Sequence, residues 1–298
     1  MSSPLAFGAM QCGGRADAAQ SMAMFDACHA AGLRHFDTAW IYTDGASETL
    51  LGRFAKGRDL QIATKIGYEG GAGRANLAAQ FDTSRKRLDC PIDLLYLHRF
   101  DPDTPLDESL EVLARWQSDG LIARIGLSNF AAWQVMKAQA AAQRLGTKID
   151  AIQPMYSLVK RQAEVELLPM AADQAIAVYG YSPLGGGLLT GKYAAGAAAG
   201  RLSEDTRYAA RYAPDYMARA AAELAALAAE LACHPATLAV AWAKCHPSRP
   251  VPLISGRNAD QLAPSLAAAE YSMTAETYAR ISALSPAPPP ATDRLEEA

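Results

Sequence analysis

The chain has 298 residues, of which 50% are hydrophobic and 20% charged, enough for a sizeable core and against disorder. A formal net charge of -3 offers no basic patch for nucleic acid, and no apolar run reaches the length of a membrane span. Five cysteines without CxxC spacing (Cys12, Cys28, Cys90, Cys233, Cys245) read as reduced thiols of a cytoplasmic protein, not as a zinc site, and residues 1–4 lack the features of a signal peptide.

Short apolar runs then alternate with longer Ala-rich amphipathic stretches. The pattern predicts strands at 5–10, 34–36, 60–64, 93–97, 122–127, 151–153, 177–181 and 251–254. It predicts helices near 17–31, 46–55, 75–88, 107–118, 131–144, 162–172, 216–231, 236–245 and 259–268. Eight strand–helix steps favour an α/β fold of the (β/α)8 TIM barrel type over a doubly wound sheet. No Gly-x-Gly-x-x-Gly segment follows an early strand, which argues against a Rossmann domain. No linker divides the chain, so residues 1–298 are expected to form a single domain. The stretch 190–215, with Gly191, Gly196 and Gly200, reads as a long irregular loop, functional or mobile. From about 285 the Pro-rich tail is expected to run over the surface without helix.

Three predicted strand ends carry ionisable groups. Asp37 opens Asp37-Thr38-Ala39-Trp40-Ile41-Tyr42, Lys65 closes Ile62-Ala63-Thr64-Lys65, and His98 closes Leu94-Leu95-Tyr96-Leu97-His98. Barrel enzymes place their chemistry at the carboxyl ends of their strands, so Asp37, Tyr42, Lys65 and His98 are the candidate catalytic set. A neighbouring ammonium favours a tyrosinate and lowers the phenol pKa from about 10. A buried carboxylate keeps such a lysine charged and oriented, and an imidazole offers a second contact to the same oxygen. The set suits proton donation to an oxygen gaining negative charge, such as a carbonyl receiving hydride. Taken singly, each residue also has an ordinary structural reading. Asp37 could cap a helix, Tyr42 could pack, Lys65 could point to solvent, and His98 could be a satisfied core histidine. Their conjunction at successive strand ends favours function.

These segments resemble the Asp-Tyr-Lys-His motifs of the aldo-keto reductases. Gly126-Leu127-Ser128-Asn129-Phe130, Gln153-Pro154-Met155-Tyr156-Ser157 and Tyr181-Ser182-Pro183-Leu184-Gly185-Gly186-Gly187-Leu188-Leu189 resemble further motifs of that family, in family order. The resemblance implies a TIM barrel that reduces an aldehyde or ketone with NAD(P)H, or oxidises an alcohol or sugar in reverse. It implies Tyr42 as general acid, Lys65 and Asp37 tuning it, and His98 orienting the carbonyl. Ser128, Asn129 and Gln153 would contact the nicotinamide carboxamide and Tyr181 would stack on its ring, with Ser182, Pro183 and Leu184 in the same cofactor segment. Gly185, Gly186 and Gly187 would let the backbone approach phosphate and offer it free N–H groups. Ser255, Gly256 and Arg257, followed by Gln261, fall where an Arg of the family meets the 2′-phosphate of NADP. That favours NADP(H) over NAD(H); the other reading of Arg257 is an exposed residue at a helix start. Thr43 stands where many members have Gly, so the loop after Tyr42 is expected to be reshaped. Ser265 stands where Asn or Glu often contacts the adenine.

Trp40, Tyr68, Arg99 and Phe130 follow the second to fifth predicted strands and are candidate substrate-pocket walls. Trp40 and Phe130 would form an aromatic mouth. Arg99 would attract an anionic or polyhydroxylated substrate, or pair with Asp101 or Asp103. The expected partner is a small carbonyl or alcohol, with no nucleic acid, membrane or metal, and a monomer is favoured. Two other classes stay open: a Schiff-base lyase using Lys65, and a non-catalytic NADPH-binding redox-sensing module.

Overall fold

Strands covered on both faces read as short apolar runs, and eight such runs close into a barrel. In the computed structural model, which describes residues 5–193, 200–294 and 296, they are β1 (Ala6–Gly8), β2 (His35–Asp37), β3 (Gln61–Ile66), β4 (Ile92–Leu97), β5 (Ile122–Ser128), β6 (Ala151–Gln153), β7 (Ala177–Gly180) and β8 (Val251–Ile254). Neighbours pair in parallel in chain order, and β8 closes on β1 with Phe7 opposite Ile254. Residues 1–4 and Gly196 lie outside the described residues.

The helices are α1 (Ala18–Ala30), α2 (Ala46–Ala55), α3 (Arg74–Leu88), α4 (Leu106–Ser118), α5 (Ala132–Arg144), α6 (Leu167–Asp173), α7 (Arg201–Glu204), α8 (Thr206–Arg211), α9 (Asp215–Glu230), α10 (Pro235–Lys244), α11 (Ala259–Leu266) and α12 (Ala275–Ser282). Local signals start several of them. Asp17 and Gln20 form a reciprocal capping box at α1, and Pro235 sits in the first turn of α10 behind a His234 cap. Three expectations need correction. The helix expected at 162–172 splits into a 3-10 turn (Gln162–Glu164) and α6. Pro169 explains the break: it has no N–H to donate back, and its ring clashes with the carbonyl four residues earlier. The stretch 190–215 is not all irregular, because it holds α7 and α8, and α12 was not foreseen. These helices span only one or two turns, too short for a 3.6-residue period to stand out.

Alternation along a strand decides which side chains enter the barrel. Ala6, Ala63, Leu94, Tyr96, Ala151, Tyr179 and Leu253 form a small apolar cluster, separate from the large core. Parity assigns the small cluster to the barrel interior and the large one to the layer between strands and helices. Lys65 lies two residues beyond Ala63, so it points inward just above this plug. His35 stacks on Tyr179 with ring centroids 4.2 Å apart, and Asp37 shares the face of His35. Beyond α12, Arg161 Nη1 donates to the carbonyls of Ser282 (3.0 Å) and Ser285 (3.1 Å), pinning the start of a tail that is non-helical over 286–290. Among the described residues no single helix is long and apolar enough to cross a membrane. Among the described residues the α9–α10 pair, bent by 103°, meets that length and composition jointly.

Candidate active site

The four residues picked from the motifs meet at the carboxyl end of the barrel. Asp37 ends β2, Lys65 is the next-to-last residue of β3, His98 follows β4, and Tyr42 opens the 3-10 turn Tyr42–Gly45. Asp37 Oδ1 accepts a hydrogen bond from Lys65 Nζ within an ion pair. Lys65 Nζ also donates to the Thr38 carbonyl at 2.7 Å and to the Tyr42 hydroxyl at 3.4 Å. Gln153 Nε2 donates to the other oxygen, Asp37 Oδ2, at 2.9 Å. The His98 ring meets the Tyr42 ring edge-on at 5.8 Å. Lys65 and Asp37 are fully buried, whereas Tyr42 is half-buried.

Burial and charge act against each other here. Burial alone would push Lys65 down, but Asp37 and Tyr42 outweigh it and hold the ammonium above its ordinary value. Burial raises the Tyr42 phenol, and Lys65 offsets this only in part. The expected lowering of Tyr42 by its lysine is therefore present but not dominant, and the hydroxyl keeps its proton at neutral pH. Burial, with Lys65 and Arg99 adding to it, lowers His98 to about 3, so its imidazole is neutral.

The loop after Tyr42 takes a left-handed course. Thr43 and Asp44 have φ of 49° and 53°, and Gly45 has φ of 90°. Left-handed backbone at a non-glycine residue costs on the order of 1–3 kcal/mol. Local bonds hold it: Thr43 Oγ1 donates to the Cys12 carbonyl at 2.8 Å and accepts from Ser47 N–H at 3.0 Å.

Ser128, Asn129, Gln153 and Tyr181 are brought together at the ends of β5, β6 and β7. Tyr181 donates to Asn129 Oδ1 at 2.7 Å, while Asn129 Nδ2 donates to the His98 carbonyl at 2.9 Å and to Ser128 Oγ at 3.1 Å. Asn129 and Ser182 are left-handed, with φ of 59° and 58°. Pro183 is buried and Leu184 half-buried, and the turn Gly185–Thr190 follows. One expectation fails in this turn. The Gly185 and Gly187 amides are not free, for they donate to Ser182 (2.9 Å) and Leu184 (3.0 Å) carbonyls as the chain winds into a 3-10 turn. Gly186, at φ 66°, is where the rings of Tyr208 and Tyr212 close in; a β-carbon there would lie 3.0 Å from each.

Near the end of β8, Ser255 Oγ is buried without a partner among the described residues, and Gln261 Oε1 accepts from the Arg257 N–H at 3.3 Å. Arg257 is not simply exposed: its Nη2 donates to Glu204 Oε2 at 2.8 Å, and the same oxygen meets Arg15 Nη1 at 2.7 Å. Glu204 thus joins α7 to the segments after β1 and β8, which neighbour one another in the closed barrel. Sequence reading missed this bridge; the adjacent carboxylates Glu204 and Asp205 in a supposed loop were its only signal. Ser265 is fully buried.

Among the pocket candidates, Tyr68 is exposed with its ring 5.0 Å from that of His98. Arg99 forms no ion pair with Asp101 or Asp103. Its guanidinium lies over Tyr68 at 4.8 Å, while Asp101 accepts from Ala72 N–H and Thr104 Oγ1 at 2.7 Å each. Phe130 is buried with its ring edge-on to Phe100 at 5.5 Å, and the exposed Trp133 meets the same Phe100 ring at 5.9 Å. Trp40 packs on the core beneath Arg87, which stands 5.6 Å from its ring.

A closed parallel barrel thus carries a carboxylate, a phenol, an ammonium and a neutral imidazole together at its carboxyl end. The aldo/keto reductase family model matches residues 4–286, and the chain belongs to this family. Aflatoxin B1 aldehyde reductase member 2 of Rattus norvegicus is 39% identical over 195 residues, covering 62% of this chain and 53% of the relative. The chain thus spans about half the length of the aflatoxin B1 aldehyde reductases it matches. The uncharacterized oxidoreductase YrpG of Bacillus subtilis (strain 168) is 33% identical over 314 residues, covering 96% of this chain and 93% of the relative. A probable voltage-gated potassium channel subunit beta of Oryza sativa subsp. japonica is 31% identical over 272 residues, covering 83% and 81%.

Proposed function

We propose that this chain is a carbonyl reductase that uses NADP(H) and takes an aldehyde or ketone as substrate. The observation that carries the reading is the bonded series Asp37–Lys65–Tyr42 beside a neutral His98. When bound, the nicotinamide dinucleotide supplies the hydride to the carbonyl carbon. As negative charge grows on the carbonyl oxygen, the Tyr42 hydroxyl gives it a proton, and the Lys65 ammonium stabilises the phenolate left behind. Asp37, fixed by Gln153, keeps Lys65 charged and aimed. The neutral His98 donates an N–H to the same oxygen and orients it. The reverse sequence oxidises an alcohol.

The residues fit a dinucleotide. Ser255 carries an orphaned buried hydroxyl, and Arg257 carries a half-buried guanidinium whose acceptor is a carboxylate that a phosphate can replace. Ser128, Asn129, Gln153 and Tyr181 would hold the carboxamide and ring, and Ser182, Pro183, Leu184, Gly185, Gly187, Gly256 and Gln261 would line the rest of the groove. The names of the aldehyde reductase relatives support an aldehyde substrate, whereas the channel-subunit relative is named for its place in a potassium channel, which suits the non-catalytic reading. The complete four-residue cluster favours turnover. NADPH carrying deuterium at the transferred position, incubated with aromatic aldehydes, α-dicarbonyls and sugars, tests the reading. Alcohol products deuterated at the former carbonyl carbon are expected; tight NADPH binding with no deuterated alcohol would favour the module instead.

A further inference from the structure

We propose that Arg87 and Glu48 are a positioning pair for Tyr42, holding the turn that carries its hydroxyl in register with Lys65 while bonding to neither residue. The inference rests on the reading of Tyr42 as proton donor. Glu48 lies in the first turn of α2 and is fully buried. Its Oε1 accepts from Thr64 Oγ1 at 2.7 Å, and Thr64 immediately precedes Lys65. Its Oε2 accepts from Arg87 Nη1 at 3.2 Å. The same Nη1 donates to the Trp40 carbonyl at 2.9 Å, two residues before Tyr42. One buried carboxylate therefore ties β3, beside Lys65, to the segment leading into Tyr42.

The guanidinium also closes the far side of the turn. A β-carbon on Gly45 would lie 2.2–2.5 Å from Arg87 Cζ, Nε and Nη2, so only glycine leaves room for it. Arg87 thus touches the chain on both sides of Tyr42, at Trp40 and at Gly45. Between them lie the left-handed Thr43 and Asp44, a conformation that persists only where its surroundings over-determine it. A brace that merely packed α3 on α2 would have no need to reach the Trp40 carbonyl. A buried carboxylate also requires its cation, which makes the pair sensitive to loss of either partner.

The test compares Arg87→Met and Arg87→Lys with the wild-type chain. Arg87→Lys keeps a charge beside Glu48 but loses the fork that reaches Trp40 and Gly45, so it serves if Arg87→Met fails to fold. Three readouts are taken: kcat and KM, NADPH affinity by fluorescence titration, and ultraviolet difference titration of Tyr42, isolated by subtracting Tyr42→Phe in each background. Misplacement of a reacting group by about 1 Å costs up to about 100-fold in rate. We expect kcat to fall roughly 10- to 100-fold with KM and NADPH affinity nearly unchanged, and the Tyr42 titration to move to higher pH because the pull of Lys65 is lost. An unmoved Tyr42 titration in a folded variant, or a fall in NADPH affinity matching that in kcat, would overturn the proposal. The titration requires no turnover, so it judges the pair even if Tyr42→Phe proves as active as wild type and the proton-donor reading itself falls.

Discussion

His35 and His98 are imidazoles that burial holds at a pKa of about 3, far below the ordinary value near 6.5. Both rings are buried, and His98 Nδ1 has no hydrogen-bond partner among the described residues. Both stay neutral in the folded chain, whereas the unfolded chain protonates them near pH 6.5. Between about pH 6.5 and 3 the unfolded state therefore binds more protons. Stability from this source is complete above pH 6.5 and is lost as pH falls, by at most about 1.4 kcal/mol per pH unit for each histidine. Urea unfolding at pH 7 and pH 5 should show a drop that is smaller in His35→Phe; an equal drop in the variant would mean that His35 is not held neutral. At this scale the sequence was most informative where chemistry sits inside a motif. Asp37, Tyr42, Lys65 and His98 were legible because each closes or opens an apolar run. Arg87 and Glu48 were not, because they are 39 residues apart and only the packing of α3 against α2 reveals their link.

At the scale of elements, strands were legible from apolar runs bounded by turn residues, and long helices from their period. The short helices α7 and α8 carry no such period, yet they determine what Arg257 meets. Glu204 at the end of α7 joins Arg15 and Arg257, and Tyr208 on α8 packs against Gly186. A phosphate reaching Arg257 must compete with that carboxylate. Charge-assisted bonds of this kind are worth about 1.5–3 kcal/mol, so Arg257→Ala should weaken NADPH roughly 10- to 100-fold while leaving NADH little changed. Fluorescence titration with both dinucleotides checks it; equal weakening would show that Arg257 does not read the 2′-phosphate.

At the scale of the whole molecule, barrel closure brings distant chain segments to one mouth. Gln153 reaches Asp37 across 116 residues, and Arg257 reaches Glu204 across 53. Strand–helix alternation revealed the barrel, and the barrel predicts a shared mouth, but not which side chains meet there. That depends on register, on the inward turn of alternate residues, and on turns such as Thr43–Asp44 that aim one hydroxyl. The proposed role of this mouth is to let Tyr42 protonate a carbonyl as hydride arrives. Its most direct test is NADPH oxidation by Tyr42→Phe beside wild type, with NADPH affinity measured on both. We expect turnover to fall by at least about 100-fold, the scale of a lost general acid, with NADPH affinity nearly unchanged. Turnover equal to wild type would contradict the assignment of Tyr42 as the acid.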